Sequence, residues 1–327
     1  MLSRVADSIY WLNRYIERAE NVARFIGVNL ALTLDLAAAG GEQWMPLVMT
    51  SGDEEDFRAR YGEPTKERVL TFLTSDISNP NGILYCLAAA RENARSVREI
   101  ISSEMWEQVN RFYLWVKDEI SNGNAALHPD PFFSGVKMSA HLFGGVMDAT
   151  MSHGEAWHFG RLGRLLERAD KTSRLVDVKY YVLLPSAEDV GSPFDTIQWS
   201  AVLKSASAFE MFRKEHHHIS PVAVADFLIL SREFPRSVRY AVMRAEESLH
   251  VITGTATGHF NNTAEKRLGR LRSKLDYTDI AEIMSQGLHE FLDDFQSELN
   301  DAGEGIFDTF FALRPAPESS EQVHSKS

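Results

Sequence analysis

A single cysteine, Cys86, stands in 327 residues, so no disulfide can form within the chain, and a reducing compartment suits it. No apolar run approaches the roughly 20 residues that cross a bilayer. The N-terminal MLSRVADSIYWLNRYIERAE turns polar and acidic too early for a secretory signal with a small-residue cleavage site. These absences predict a cytoplasmic protein with no membrane span. Positive charge is in deficit too: 34 Lys and Arg against 46 Asp and Glu leave a net charge of −12. That argues against nucleic acid or anionic membrane as a partner, since both call for a basic surface. There is no Gly-x-x-x-x-Gly-Lys-Ser/Thr loop, no Gly-x-Gly-x-x-Gly after a strand and no Gly-x-Ser-x-Gly elbow. Any ATP-driven step therefore falls to a partner, and no cofactor is implied. Cys86 itself, inside ILYCLAAA, reads as a small buried thiol and not as a nucleophile.

Strand signals are scarce, and helical ones fill the chain. Leu12, Tyr15, Ile16, Ala19, Ala23 and Ile26 recur at spacings of three and four, which predicts a helix over 3–38 ended by the Ala-Ala-Ala-Gly-Gly of 37–41. Further helices are expected over 43–60, from Thr65 onward, and from an Asn79-Pro80 start through 120. Others are expected over 153–183 (before Pro185), 194–214, 221–231, 235–257 and 264–301, with a short apolar piece at 306–312. His128-Pro-Asp-Pro131 and Gly144-Gly145 break the pattern, so 122–150 reads as a crossover with one short helix. From Pro315 the composition is too polar to pack, and 313–327 is expected to be a disordered tail.

What the chain does contain is a charged pattern that occurs twice. Arg14, Glu17, Arg18, Glu20 and Arg24 return as Arg164, Glu167, Arg168, Asp170 and Arg174, with every sign kept. Of the ten uncharged positions between Leu12 and Ile26, only Leu12/Leu162 and Ala19/Ala169 are identical. Downstream the correspondence continues at an offset of 155: Gln43-Trp44 with Gln198-Trp199, Phe57-Arg58 with Phe212-Arg213, Pro80 with Pro235, and Tyr85 with Tyr240. The chain thus reads as an all-α duplicated bundle in a single domain over 1–312. Repeat one takes about 1–121, the crossover 122–150 and repeat two 151–312. A rival register, Arg95-Ser-Val-Arg98 on Arg236-Ser-Val-Arg239, does not extend to the flanking helices.

Solvated charges drift freely, so charges that outlast their neighbours point to partners. Three readings follow. The charges form a solvated face laced by i,i+3 and i,i+4 pairs, each worth about 0.2–0.5 kcal/mol. Alternatively Glu17-Arg18 pairs with Arg168-Glu167 across a pseudo-twofold axis as a buried network. Or the arginines line a cleft that grips a carboxylate or phosphate with forked hydrogen bonds, the glutamates orienting them. The ten residues of the two patterns are accordingly the candidate anion- or partner-binding network, and no catalytic residue is assigned.

Other constellations are weaker. Glu155/His158 and Glu247/His250 have the Glu-x-x-His spacing of ferritin-like di-metal bundles, with Glu17 or Glu20 and Glu92 or Glu104 nominally completing a set. The two pairs do not occupy equivalent places in the repeat, so no metal site is assigned. His216-His217-His218 reads as a solvated loop. Arg161, Arg164, Arg168 and Lys171 form a basic stripe, but Glu167 and Asp170 beside it make RNA a poor ligand.

Four blocks carry a resemblance. They are MLSRVADSIYWLNRYIERAENVARF, NPNGILYCLAAARENARSVREIISSEMWEQVN, HFGRLGRLLERADKTSRLVDVKYY and FPRSVRYAVMRAEESL. Together they resemble the bacterial alpha-E family, an all-helical group named for its Glu-Arg motif, over about 1–312. The resemblance places the motif at Glu17-Arg18, with Glu167-Arg168 as a second occurrence. It implies association with circularly permuted ATP-grasp ligases, often near transglutaminase-like peptidases and a proteasome-like hydrolase. The expected function is a partner of a peptide or amide ligase, binding a carboxylate- or phosphate-bearing peptide intermediate or the ligase itself. The alternative is a stand-alone enzyme that transfers an activated aminoacyl group with a glutamate as general base.

Overall fold

The structure is a computed structural model describing residues 1–36, 44–182 and 193–312. The expected helix stops at 37–41 and Pro185 and the tail of 313–327 lie outside the described residues. Every regular element among the described residues is helical. The first half comprises α1 (Ser3–Leu36), α2 (Met45–Ser51), α3 (Glu54–Tyr61), α4 (Lys66–Thr74), α5 (Ile83–Ser96), α6 (Ser103–Ser121), α7 (Asn124–Leu127) and α8 (Pro129–Thr150). The second comprises α9 (Glu155–Val182), α10 (Pro193–Ser205), α11 (Phe209–Glu215), α12 (Pro221–Leu230), α13 (Val238–Thr253), α14 (Thr263–Tyr277), α15 (Ile280–Gln286) and α16 (Leu288–Ile306). A π-helical turn, Phe307–Phe311, follows α16 directly.

The order of elements in 3–150 recurs in 155–306. α3, α4 and α5 begin 155 residues before α11, α12 and α13. In each half the first helix packs on the fifth and the eighth, and the sixth bridges those two. Two four-helix bundles, α1–α5–α6–α8 and α9–α13–α14–α16, thus meet through α1 and α9. Their contacts pair Met1 with Glu155 and Glu17 with Arg168, so α1 and α9 run parallel. Gly163 permits their close approach, because a Cβ there would collide with the Tyr10 carbonyl. The short second helices cross over: α2 packs on α9 and α10 on α1.

Several expected helices are shorter than their apolar patterns suggest. The 43–60 and 194–214 segments each break where the backbone turns left-handed, at Gly52 (φ 85°) and Ser207 (φ 50°). These two positions correspond at the 155 offset, and Ser207 is the one non-glycine with positive φ among the described residues. The segment from Asn79 onward turns first and starts its helix at Ile83, then breaks at 97–102, where the Ser102 side chain accepts from Met105 N at 3.1 Å to open α6. The 264–301 segment splits at an Asp279–Glu282 capping box and again at Gly287 (φ 108°).

Residues 122–150 correct the crossover reading. They hold α7 and a 22-residue α8 whose Phe132, Phe133, Val136, Ala140, Phe143 and Met147 are buried. Pro129 and Pro131 occupy its first turn, where backbone N–H groups have no intrahelical partner, so they start the helix instead of stopping it. Gly144 and Gly145 sit mid-helix. A Cβ at Gly144 would lie 3.1 Å from Arg164 Nη1, so its absence leaves room for that guanidinium.

A reciprocal Glu–Arg network and its cavity

The repeated charges face inward. Glu167 is fully buried, and Glu17, Glu20 and Arg24 are at most 4% exposed, because α1 is enclosed by α5, α8, α9 and α10. The solvated-face reading fails on that burial. Arg168 donates from Nε and Nη2 to the two oxygens of Glu17, both at 2.8 Å. Arg18 donates from Nε and Nη2 to the two oxygens of Glu167, at 2.6 and 2.9 Å. Each half's glutamate is therefore forked by the other half's arginine, which is the strongest ion-pair geometry available to these side chains.

A second layer completes the network. Arg174 donates to Asp170 at 2.9 Å, Lys171 Nζ lies 3.3 Å from Asp170, and Arg24 pairs with Glu20 and with Ser207. Arg236 on the turn before α13 was not singled out by the repeat. It donates to Glu17 Oε1 at 3.0 Å and to both oxygens of Glu20 at 2.8 and 2.6 Å. Its counterpart at the 155 offset is Asn81, which carries no charge to retain and instead accepts from Arg18 Nη1 at 2.8 Å.

Here the halves diverge. Arg14 completes Glu167, donating from Nε at 2.9 Å, and donates from Nη1 to the Tyr10 hydroxyl at 3.2 Å. On the other side Arg236 takes the corresponding place on Glu17, and Arg164 is left over. Among the described residues Arg164 has no hydrogen bond or ion pair, and its Nε is buried without a partner. It borders a cavity of about 230 Å³ between α1, α8 and α9, lined also by Asn13, Ile16, Glu17, Glu20, Ala140, His141, Phe143, Gly144, Gly145, Asp148 and Arg168. The aromatic side chains of the π-helical turn close the region around Arg14, with Phe311 against Tyr10 and Phe159.

Electrostatics follow from these contacts. Burial opposes the ionisation of Glu17, but Arg168 and Arg236 outweigh it and hold the carboxyl well below its ordinary value. Glu167 is held down likewise against burial by Arg18 and Arg14. Carboxylates so strongly acidic, with both oxygens occupied, are poor proton acceptors. Burial pulls Arg236 down to about 10, still charged at neutral pH. Burial, then the nearby Arg168, also lowers Arg164. His141, half-exposed on α8, hydrogen-bonds Glu20 through Nε2 at 2.7 Å. Burial, then Arg24 and Arg236, keep it below the usual imidazole value.

The other candidates scatter. Glu155 meets the Met1 amino group at 3.0 Å, Glu247 pairs with Arg244 at 2.8 Å, and Glu92 pairs with Arg95 at 2.7 Å. Glu104 is exposed on α6. Among the described residues no three His, Cys, Asp or Glu side chains group to hold a metal ion. The basic stripe is not a surface: Lys171 is buried, and Arg161 lies over the Trp157 ring and donates to Ser248 at 3.3 Å. Cys86 is fully buried, and burial pushes its thiol up to about 12. No described helix is long and apolar enough to cross a membrane.

An all-α bundle centred on two Glu-Arg dipeptides is the class of protein that fold and network define. Over residues 1–311 the chain matches the Alpha-E model, described as a predicted alpha-helical domain with a conserved ER motif, and it belongs to that family. Uncharacterised proteins of Mycobacterium bovis and Mycobacterium tuberculosis are each 20% identical to it over 338 residues, covering 95% of this chain and 37% of the relative. The chain thus spans little more than a third of the length of the curated relatives it matches. No solved structure matches it.

Proposed function

We propose that this chain is a helical partner of an ATP-grasp peptide or amide ligase and receives a carboxylate- or phosphate-bearing peptide intermediate at the Arg164 cavity. One observation carries the anion half of this reading: Arg164 borders open space with its guanidinium unspent. The balance of charge agrees. Arg14, Arg18, Arg24, Arg168, Arg174, Arg236 and Lys171 converge on Glu17, Glu20, Glu167 and Asp170, and Arg164 adds an unpaired cation beside them. Even with Asp53 and Asp148 at the margins, the cluster holds more cations than anions, inside a protein of net charge −12. An anionic group at Arg164 would reduce that excess and use the forked donor geometry. The ligase half rests on the family's association with such ligases and on the lack of a nucleotide loop in this sequence. A glutamate general base finds less support, since arginines occupy Glu17 and Glu167.

Titration of the purified chain with inorganic phosphate and with acetate tests the anion site. Saturable binding should disappear in Arg164→Gln and survive in Arg58→Ala, an exposed control on α3. A partner ligase should form a saturable complex with the chain. Anion binding indifferent to Arg164→Gln, together with no complex, would refute the proposal.

A further inference from the structure

The two walls of the Arg164 cavity differ in charge. The α9 wall presents the unpaired guanidinium. The α8 wall presents His141, Gly144 and Asp148 from one face of the helix, at spacings of three and four. Glu17 and Glu20 also line the space, but arginines occupy their oxygens. Asp148 is different. One oxygen accepts from Trp157 Nε1 at 3.2 Å, and no cation among the described residues pairs with the carboxylate. Arg164 feels its charge, yet the two side chains do not come within the 4.0 Å of an ion pair. Opposite charges thus line one cavity without pairing, Asp148 at its exposed edge, beside an apolar patch of Ile16, Ala140 and Phe143.

We infer that the cavity takes a small amino-carboxylate, with the carboxylate on Arg164 and the ammonium on Asp148. This rests on the anion-binding half of the proposed function and narrows the ligand from a peptide intermediate to a free amino acid. Size sets the limit. The 230 Å³ falls below the ~300–1,000 Å³ of pockets for drug-sized ligands. It suits a free amino acid with a small side chain, whose apolar part meets Phe143 and Ala140. A simple carboxylate would satisfy Arg164 alone and leave Asp148 unpaired, so the zwitterion gains the second charge-assisted contact. Gly144 belongs to the design, because a Cβ there would crowd the guanidinium that the carboxylate must reach.

Ligand-observed NMR titration of the full chain with L-alanine, acetate, methylammonium and inorganic phosphate at pH 7.5 tests the assignment. L-alanine should bind at least tenfold more tightly than acetate or methylammonium. Asp148→Asn should bring L-alanine down to the acetate level and leave acetate binding no weaker, whereas Arg164→Gln should remove both. Acetate or phosphate binding as tightly as L-alanine, with Asp148→Asn without effect, would overturn the zwitterion and leave the anion site standing. Failure of all four probes to bind would overturn both.

Discussion

Arg236 decides which arginine is spare. Its guanidinium reaches Glu17 and Glu20 together, and in doing so it displaces Arg164 from the role that Arg14 plays opposite. Replacing Arg236 with Asn, the residue at the matching position 81, should let Arg164 fold onto Glu17 and close the cavity. Phosphate binding should then fall at least tenfold although Arg164 is intact, as read by the same titration. Removing a carboxylate is costlier. Glu167→Gln leaves Arg14 and Arg18 half-buried against a neutral amide, and denaturant unfolding should show a loss of about 3–5 kcal/mol. Retained signs admit the Glu17–Arg168 and Arg18–Glu167 pairing as one of three readings, and burial is what selects it over the solvated face. Arg236 carries no such signal, because its counterpart Asn81 is neutral and the pair shares no sign to retain. His141 and Asp148 are hidden for another reason: His128-Pro-Asp-Pro131 and Gly144-Gly145 give their helix the sequence of a crossover.

That helix, α8, shows how punctuation misleads at the element scale. Its buried Phe132, Val136, Ala140, Phe143 and Met147 have helical spacing, a signal present in the sequence but outweighed by two prolines and a Gly-Gly pair. Prolines in a first turn and a glycine that makes room for a neighbour's side chain carry no breaking force. Conversely, apolar continuity through 43–60 and 194–214 concealed the left-handed stops at Gly52 and Ser207. Glycines separate into two kinds here. Gly163→Ala drives a methyl into the Tyr10 carbonyl at the α1–α9 crossing and should cost about 1–3 kcal/mol, only partly offset by the ~1 kcal/mol of gained helix propensity. Gly303→Ala, in α16 with nothing within 4 Å of the new Cβ, should instead stabilise by about 0.8–1.0 kcal/mol. Chemical denaturation of the two variants side by side would check both signs.

For the whole molecule, the network acts as a clamp between bundles. Glu17, Glu167 and Asp170 are held below ordinary carboxyl values of 4.5, 4.5 and 3.8. The unfolded chain therefore takes up protons first as pH falls. Their contribution is fully present above pH 4.5 and is lost progressively below it, toward the depressed folded values. Melting temperature should accordingly show a steep acid limb below pH 4.5, and Glu17→Gln/Glu167→Gln should flatten that limb. Because α2 lies on α9 and α10 on α1, unfolding should be a single transition, with equal calorimetric and van't Hoff enthalpies.

The parallel seating of α1 beside α9 has one more consequence. Each bundle finishes the interior of the other, and the covalent join between them, 151–154, is a short turn exposed at 152–154 and far less extensive than the shared interface. A backbone nicked within that turn should hold together as a stoichiometric two-piece assembly. Fragments 1–152 and 153–327, each unstructured by circular dichroism when alone, should regain helicity on mixing.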